Sequence, residues 1–356
     1  MYDVIVVGAG PSGSTLARLL NRNYKILLID KRELGNLESP NGLEKCCGGL
    51  LAPDAQYMLA KLGLGVPKHV LLGPQLFTVR TIDLDNSLER FYQRNYINVD
   101  REKFDRWLVS LLPGNITTMF GCHYRLFEET EECIKVTYKK EGQDYQAFTR
   151  VLIGADGANS IIRRHSMPNQ AYPNLYIAIQ EWYETEKASP YFSSIFDREI
   201  TDFYSWTIPK EDYLIVGSAI PVGQEVNNKF ELLKEKLSKY GFCFKRRVKR
   251  NGAFIYRTTN LKQIQYGRNN VALIGEAAGW ISPSSAEGIS YSMKSALALA
   301  QGLNKSLTEF GQIYKYRTRN LRHNIVLKNL KSPAMYNKVI RNLVMKSGLL
   351  SMKVVE

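Results

Sequence analysis

The sequence predicts an α/β chain with a parallel sheet wound with helices, a second layer of mainly antiparallel strands, and a helical C-terminal segment. Three observations carry this. The apolar runs Tyr2-Asp3-Val4-Ile5-Val6-Val7, Arg150-Val151-Leu152-Ile153 and Asn270-Val271-Ala272-Leu273-Ile274 each end at a glycine, as parallel strands buried on both faces do. Residues 76–94 and 171–264 hold strand-like runs such as Tyr213-Leu214-Ile215-Val216-Gly217. Beyond Gly311, Tyr336, Ile340, Leu343 and Val344 recur at helical spacing, which predicts one apolar face with lysines opposite.

Composition bounds the class. The chain has 356 residues, 44% hydrophobic and 23% charged, an ordinary globular balance that excludes disordered, collagen-like and disulfide-scaffold proteins. This length can bury roughly three quarters of its unfolded surface, in one large domain or two smaller ones. No stretch reaches the ~20 apolar residues that span a bilayer. No basic stretch precedes the first strand, so a cytoplasmic chain without a signal peptide is expected. The five cysteines (Cys46, Cys47, Cys122, Cys133 and Cys243) are odd in number, which argues against a disulfide framework. No Cys/His spacing fits a metal, so no metal ligands are expected. Cys122, Cys133 and Cys243 read as small core hydrophobes.

The net charge is +14, from 48 basic and 34 acidic residues. Residues 311–356 hold ten of the basic residues against Glu356 alone. Nucleic acid, an anionic membrane surface and a phosphorylated substrate are the physical candidates. With no recognisable nucleic-acid module, nucleic acid ranks last. A basic amphipathic helix reads as a surface binder at the inner face of the membrane; a cap on a cavity is the alternative.

The first strand runs into Gly8-Ala9-Gly10-Pro11-Ser12-Gly13 and then a helical stretch. Strand, G-x-G-x-x-G and helix form the Rossmann-type dinucleotide fingerprint in its proper context. Gly8 serves the tight turn, Gly10 the backbone approach to a pyrophosphate, and Gly13 the close helix–strand contact. Ser12 lies at the positive end of the helix. A second strand, Lys25-Ile26-Leu27-Leu28-Ile29, ends in Asp30-Lys31, which puts a carboxylate where an adenosine ribose would lie. Two further turns follow strands: Gly154-Ala155-Asp156-Gly157, then a helix with Arg163 and Arg164, and Gly275-Glu276-Ala277-Ala278-Gly279.

These turns resemble the second and third motifs of FAD-dependent enzymes of the hydroxylase (GR2-like) type. The resemblance implies FAD as cofactor, with Asp156, Gly157, Gly275 and Glu276 beside it. Glu276 stands where that family has Asp, and the ribityl hydroxyls would be its partners. The helix opening at Gly288-Ile289, after Pro283, would turn its N-terminus to the flavin ring. Arg101, in Asn98-Val99-Asp100-Arg101-Glu102-Lys103-Phe104-Asp105, matches the Arg-x-x-Phe-Asp segment whose arginine lies beside FAD in such proteins.

Three segments narrow the resemblance to the geranylgeranyl reductase family. Lys45-Cys46-Cys47-Gly48-Gly49-Leu50 resembles its Lys-Pro-Cys-Gly-Gly segment, Cys46 replacing proline. Tyr204-Ser205-Trp206-Thr207-Ile208-Pro209-Lys210 resembles its Tyr-x-Trp-x-Phe-Pro-Lys substrate motif. Pro283-Ser284-Ser285-Ala286-Glu287-Gly288-Ile289 resembles its Pro-Leu-Thr-Gly-Glu-Gly-Ile segment. The resemblance implies FAD-dependent reduction of C=C bonds in an isoprenoid lipid or polyprenyl phosphate, with Tyr204, Trp206 and Pro209 lining the lipophilic substrate. Cys47 and Gly48 would adjoin the flavin. A thiol is mostly protonated at neutral pH, so Cys47 is the candidate proton donor; packing on the ring is the alternative role. A vicinal Cys46–Cys47 disulfide would be strained. A monooxygenase acting through a flavin C4a-hydroperoxide shares the same FAD motifs and is the alternative function. The electron donor is NAD(P)H or an acidic ferredoxin-like carrier, which the basic surface would suit.

The expected organisation is an FAD-binding domain from residues 1–75, 95–170 and 265–310. A substrate layer comes from 76–94 and 171–264, and a basic helical segment from 311–356.

Overall fold

A computed structural model describes residues 1–35, 45–186 and 189–355. Glu356, the acid set against the ten basic residues, lies outside the described residues. The chain divides into two compact units: Met1–Glu44, Glu102–Pro173 and Tyr256–Leu327, and Lys45–Arg101, Asn174–Ile255 and Lys328–Glu356.

The first unit is built on five parallel strands in the order Val271–Leu273, Gln143–Gly154, Tyr2–Val7, Ile26–Ile29 and Ile116–Met119. The uninterrupted apolar character of the first strand has a direct cause, since both of its faces are covered. Val4 and Val6 join Leu16, Ala17, Ala296 and Leu299 from the Pro11–Leu19 and Ile289–Leu303 helices. Ile5 and Val7 face Trp280, Tyr291 and Tyr138. The carboxyl ends of the Tyr2–Val7 and Gln143–Gly154 strands meet side by side, Val7 opposite Gly154, and that crevice is where such sheets take ligands.

The second unit carries an eight-stranded sheet, antiparallel except where Phe192–Phe196 runs parallel to Leu76–Asp83. The Val226–Lys239 helix covers one face, with Phe230, Leu233 and Leu237 on Ile179, Tyr183, Ile195, Val216 and Ile220. By strand alternation Gln180, Trp182, Trp206 and Ile208 point to the opposite face.

The expected domain boundaries shift, and residues 171–173 and 256–264 join the first unit. Residues 45–75 and 95–101 belong to the second unit, because Leu50 and Leu51 pair with Asn98 and Ile97 as its edge strand. The segment 311–356 is divided after Leu327. It is helical, as expected, in the helices Phe310–Arg317, Arg319–Lys331, Pro333–Tyr336 and Lys338–Ser347. Tyr336 leaves the expected apolar face, while Ile340, Leu343 and Val344 stay on one helix. Tyr336 closes a short helix and packs on Phe196 and Phe203, while Asn337 caps a new helix by accepting the Val339 and Ile340 N–H groups. Cys122 is buried, Cys133 is half-buried, and Cys243 is exposed rather than in the core. Cys46 and Cys47 are free thiols. Among the described residues no helix is long and apolar enough to cross a membrane.

Candidate functional site

In the first unit the glycines act as their spacing predicts. Gly8 has a φ of +106°, and a Cβ there would lie 2.4 Å from the Ala155 carbonyl oxygen. At Gly13 a Cβ would lie 1.8 Å from the Gly8 oxygen, so any side chain would force helix and strand apart. Gly10 is different: the nearest atom to its added Cβ is the Arg32 guanidinium at 3.9 Å. Among the described residues no side chain caps the helix that Gly10 opens, and a helix N-terminus of this kind favours an anion. Ser12, buried at this end, lies under Gly275, whose φ of +57° and approach to the Ser12 hydroxyl require glycine.

Asp30 orients the turn. Its Oδ2 accepts the Ala9 N–H at 2.7 Å, and its Oδ1 accepts the Arg32 N–H at 2.8 Å. The Arg32 guanidinium grips both oxygens and reaches the buried Asp105 at 2.7 Å. Burial alone would lower the Arg32 pKa, but Asp105 and Asp30 together hold it above its ordinary value. Lys31 is exposed, so the cation of this turn is Arg32.

Asp156 and Ser290 each hold a buried oxygen without a partner among the described residues. The Asp156 carboxylate takes the Ile161 N–H at 2.8 Å through Oδ2, while Oδ1 has no partner among the described residues. Burial pushes the Asp156 pKa up against the hydrogen bonds from Ser160 and the backbone. Ser290 Oγ is likewise buried without a partner. The loop from Pro283 folds back through Ser282 N–H to the Glu287 carbonyl at 3.0 Å, and Gly288 caps the Ile289–Leu303 helix. The Glu287 carboxylate accepts the Ser290 N–H at 3.0 Å, so part of this helix end is already answered by a side chain. Glu276 accepts the Tyr256 N–H at 2.8 Å. Gly157, at φ +82°, has open space where a Cβ would point.

Cys47, Gly48, Arg101, Tyr204, Trp206 and Pro209 fall in the second unit. Cys46 donates to the Ala178 carbonyl at 3.4 Å, and a Cβ on Gly48 would lie 2.5 Å from Ile208. The loop 45–50 therefore lies on the sheet face opposite the Val226–Lys239 helix. Adjacent cysteines there differ sharply. Burial pushes the Cys46 thiol up to about 12, aided by Cys47 and opposed by Lys45. Burial also acts upward on Cys47, but the Arg101 guanidinium, the Gly49 N–H at 3.5 Å and Lys45 outweigh it and hold that thiol below its ordinary value.

Tyr204 and Trp206 lie together on this face, their ring centroids 5.5 Å apart. Burial, then Tyr96 and Cys47, push the Tyr204 phenol up. The Trp206 indole spreads across Gly217, where a Cβ would be 2.4 Å from the ring, and Gln180 stands on the other side of Gly217. Trp206 Nε1, Trp182 Nε1 and Gln180 Oε1 are buried and have no partner among the described residues. By strand alternation Pro209 faces the other side of its strand from Trp206, and its carbonyl accepts the Asn98 amide at 2.8 Å.

Arg32 is absent from the residues that the sequence singles out, and Lys210, Asn98 and Asp105 stand in quoted segments without a role of their own. Lys210 is buried with Nζ donating to Asn98 Oδ1, to the Val99 carbonyl at 2.8 Å and to the Gly49 carbonyl at 3.3 Å. These three acceptors match the three N–H groups of an ammonium, while burial pushes its pKa down to about 7 against Cys47 and Asp100. Lys210 belongs to the 204–210 motif, which was its one signal; Asn98 had none.

The fold and the glycine cradle define a dinucleotide-binding protein with the architecture of flavin-dependent enzymes. Residues 6–35 match the NAD(P)-binding Rossmann-like domain. Among solved structures, a geranylgeranyl bacteriochlorophyll reductase-like protein of Thermoplasma acidophilum superposes with a TM-score of 0.80 at 18% identity, over 99% of this chain and 92% of that one. A probable FAD-dependent monooxygenase of Pseudomonas aeruginosa superposes at 0.70 and 16% identity, over 98% and 99%. The CbrA protein of Escherichia coli O6:H1 is 39% identical over 348 residues, 98% of this chain and 94% of that protein. That of Shigella sonnei is 39% identical over 98% and 97%. The chain belongs to the CbrA family.

Proposed function

We propose that the protein is an FAD-dependent oxidoreductase that reduces C=C bonds of an isoprenoid lipid or polyprenyl phosphate. The observation that carries the reading is the Cys47 thiol, held beside Arg101 and the Gly49 N–H on an aromatic sheet face.

The first unit fits FAD. Gly10 leaves room at the helix end for a pyrophosphate, Arg32 supplies a fixed cation beside it, and Asp156 Oδ1 and Ser290 Oγ await partners. Asp30 and Glu276, engaged by Ala9 and Tyr256, keep acceptor capacity for sugar or ribityl hydroxyls. Bound and reduced, FAD supplies a hydride for one carbon of a double bond. Cys47 gives its proton to the other carbon. The thiolate left behind is stabilised by Arg101 and the Gly49 N–H, which makes donation less uphill; a donor with a pKa near the working pH is the efficient one. Tyr204, Trp206 and Ile208 offer the apolar surface an isoprenoid chain needs, and the unpartnered indole N–H groups of Trp206 and Trp182 would donate to a polar end. The reducing equivalents come from NAD(P)H or a ferredoxin-like carrier.

The test is anaerobic. Dithionite-reduced protein mixed with a polyprenyl phosphate should reoxidise and yield a saturated product by mass spectrometry. No anaerobic reoxidation, with oxygen-dependent incorporation of an oxygen atom into the substrate, would replace the reductase by a monooxygenase.

A further inference from the structure

We propose that the C-terminal helix Lys338–Ser347 and the tip that follows it seat the protein on an anionic lipid surface. This amphipathic helix is mounted in reverse. It buries its arginine: Arg341 is 3% exposed and is held by Asp83 at 2.7 and 2.9 Å and by Asp85 at 2.6 Å. Met345 is buried beside it. The helix backbone is tied at both ends, with the Lys338 carbonyl accepting from Asn86 at 3.1 Å and the Met345 carbonyl from Arg90 at 2.8 Å. The opposite side presents Val339, Ile340 and Leu343, the last 65% exposed.

The tip continues the pattern. Gly348 ends the helix in the left-handed region, and Met352 donates its N–H to the Phe91 carbonyl at 2.8 Å, forming a bridge. Between these anchors Leu349 and Leu350 project, with Leu350 85% exposed at a φ of +60°. A leucine rarely adopts that conformation, and strain of this kind marks a built feature. Lys346 and Lys353 are exposed beside these residues, and from 328 to 355 there is no acidic residue. Arg341 is neutralised by its aspartates, so the uncompensated charge lies among the exposed lysines. Aliphatic side chains standing this far into solvent, among cations, suit a partner that needs no matching groove. An anionic bilayer interface is that partner.

The test is flotation of the full-length protein with vesicles of equal parts phosphatidylcholine and phosphatidylglycerol, and with phosphatidylcholine alone. The expected result is binding to the anionic vesicles that weakens with salt. It should fall about tenfold or more in Leu343→Glu/Leu350→Glu and partly in Lys346→Glu/Lys353→Glu. Leu343→Trp should retain binding and shift its tryptophan emission to the blue on the vesicles, a readout that needs the fold intact. No flotation of the parent protein, or flotation unchanged in Leu343→Glu/Leu350→Glu, would overturn the proposal. So would a dimer of the parent that this variant dissociates, since the patch would then be covered by a second copy.

Discussion

The two units make their sites by opposite means. The first uses backbone: Gly8, Gly10 and Gly13 shape a cradle whose specificity is the lack of side chains. The second uses polar and charged side chains: the half-buried Cys47 and Arg101 and the buried Lys210 and Asn98 come from segments far apart in the chain. A cradle of glycines fails by steric intrusion, whereas a charged cluster fails by losing one partner. Damage to the first should therefore empty the protein of cofactor, and damage to the second should leave cofactor bound and stop chemistry.

The largest separation is expected from Cys47→Ala. FAD content, read by absorbance, should be unchanged, while anaerobic turnover falls on the order of a hundredfold to ten-thousandfold, the usual worth of a general acid. Loss of FAD in this variant would erase the contrast. Gly13→Ala is the mirror experiment. Its Cβ would meet the Gly8 oxygen, so FAD content should collapse and urea denaturation should register a loss on the order of 3 kcal/mol.

A smaller effect is expected from Lys210→Met, which strands the Gly49, Val99 and Asn98 acceptors and should cost about 1–3 kcal/mol in the same assay. The sign of its pH dependence is fixed. The folded pKa of about 7 lies below the ordinary 10.5, so between these values the unfolded chain holds a proton that the fold does not. Stability should rise with pH across that window, and the rise should vanish in Lys210→Met. The finest distinction lies between neighbours. Cys47 ionises below its ordinary value of 9.0 and Cys46 at about 12, so iodoacetamide at mildly alkaline pH should label Cys47 before Cys46 by peptide mass spectrometry.

The same contrast explains what could be read in the sequence. The cradle was legible because its information is local, a spacing of glycines between a strand and a helix. Arg32, whose guanidinium holds Asp30, was not legible there, because the chain bends at residues 31 and 32 and spacing does not record such a bend. The second cluster was half legible. Cys47 and the 204–210 motif stood out by resemblance, but Asn98 meets Lys210 across 112 residues, and no periodicity records such a meeting. The C-terminal helix was legible only in part, for a related reason. Helical spacing finds an apolar face but is blind to an aspartate pair at Asp83 and Asp85 that turns Arg341 inward.

The central claim, that Cys47 hands a proton to a carbon of a double bond, is tested most directly by isotope. Reduced protein and a polyprenyl phosphate, mixed anaerobically in heavy water, should give a product carrying two solvent-derived deuteriums per bond saturated, because the flavin hydride and the thiol proton both exchange with solvent, and Cys47→Ala should make it far more slowly. A saturated product formed at the parent rate by Cys47→Ala, or one without deuterium, would contradict the account.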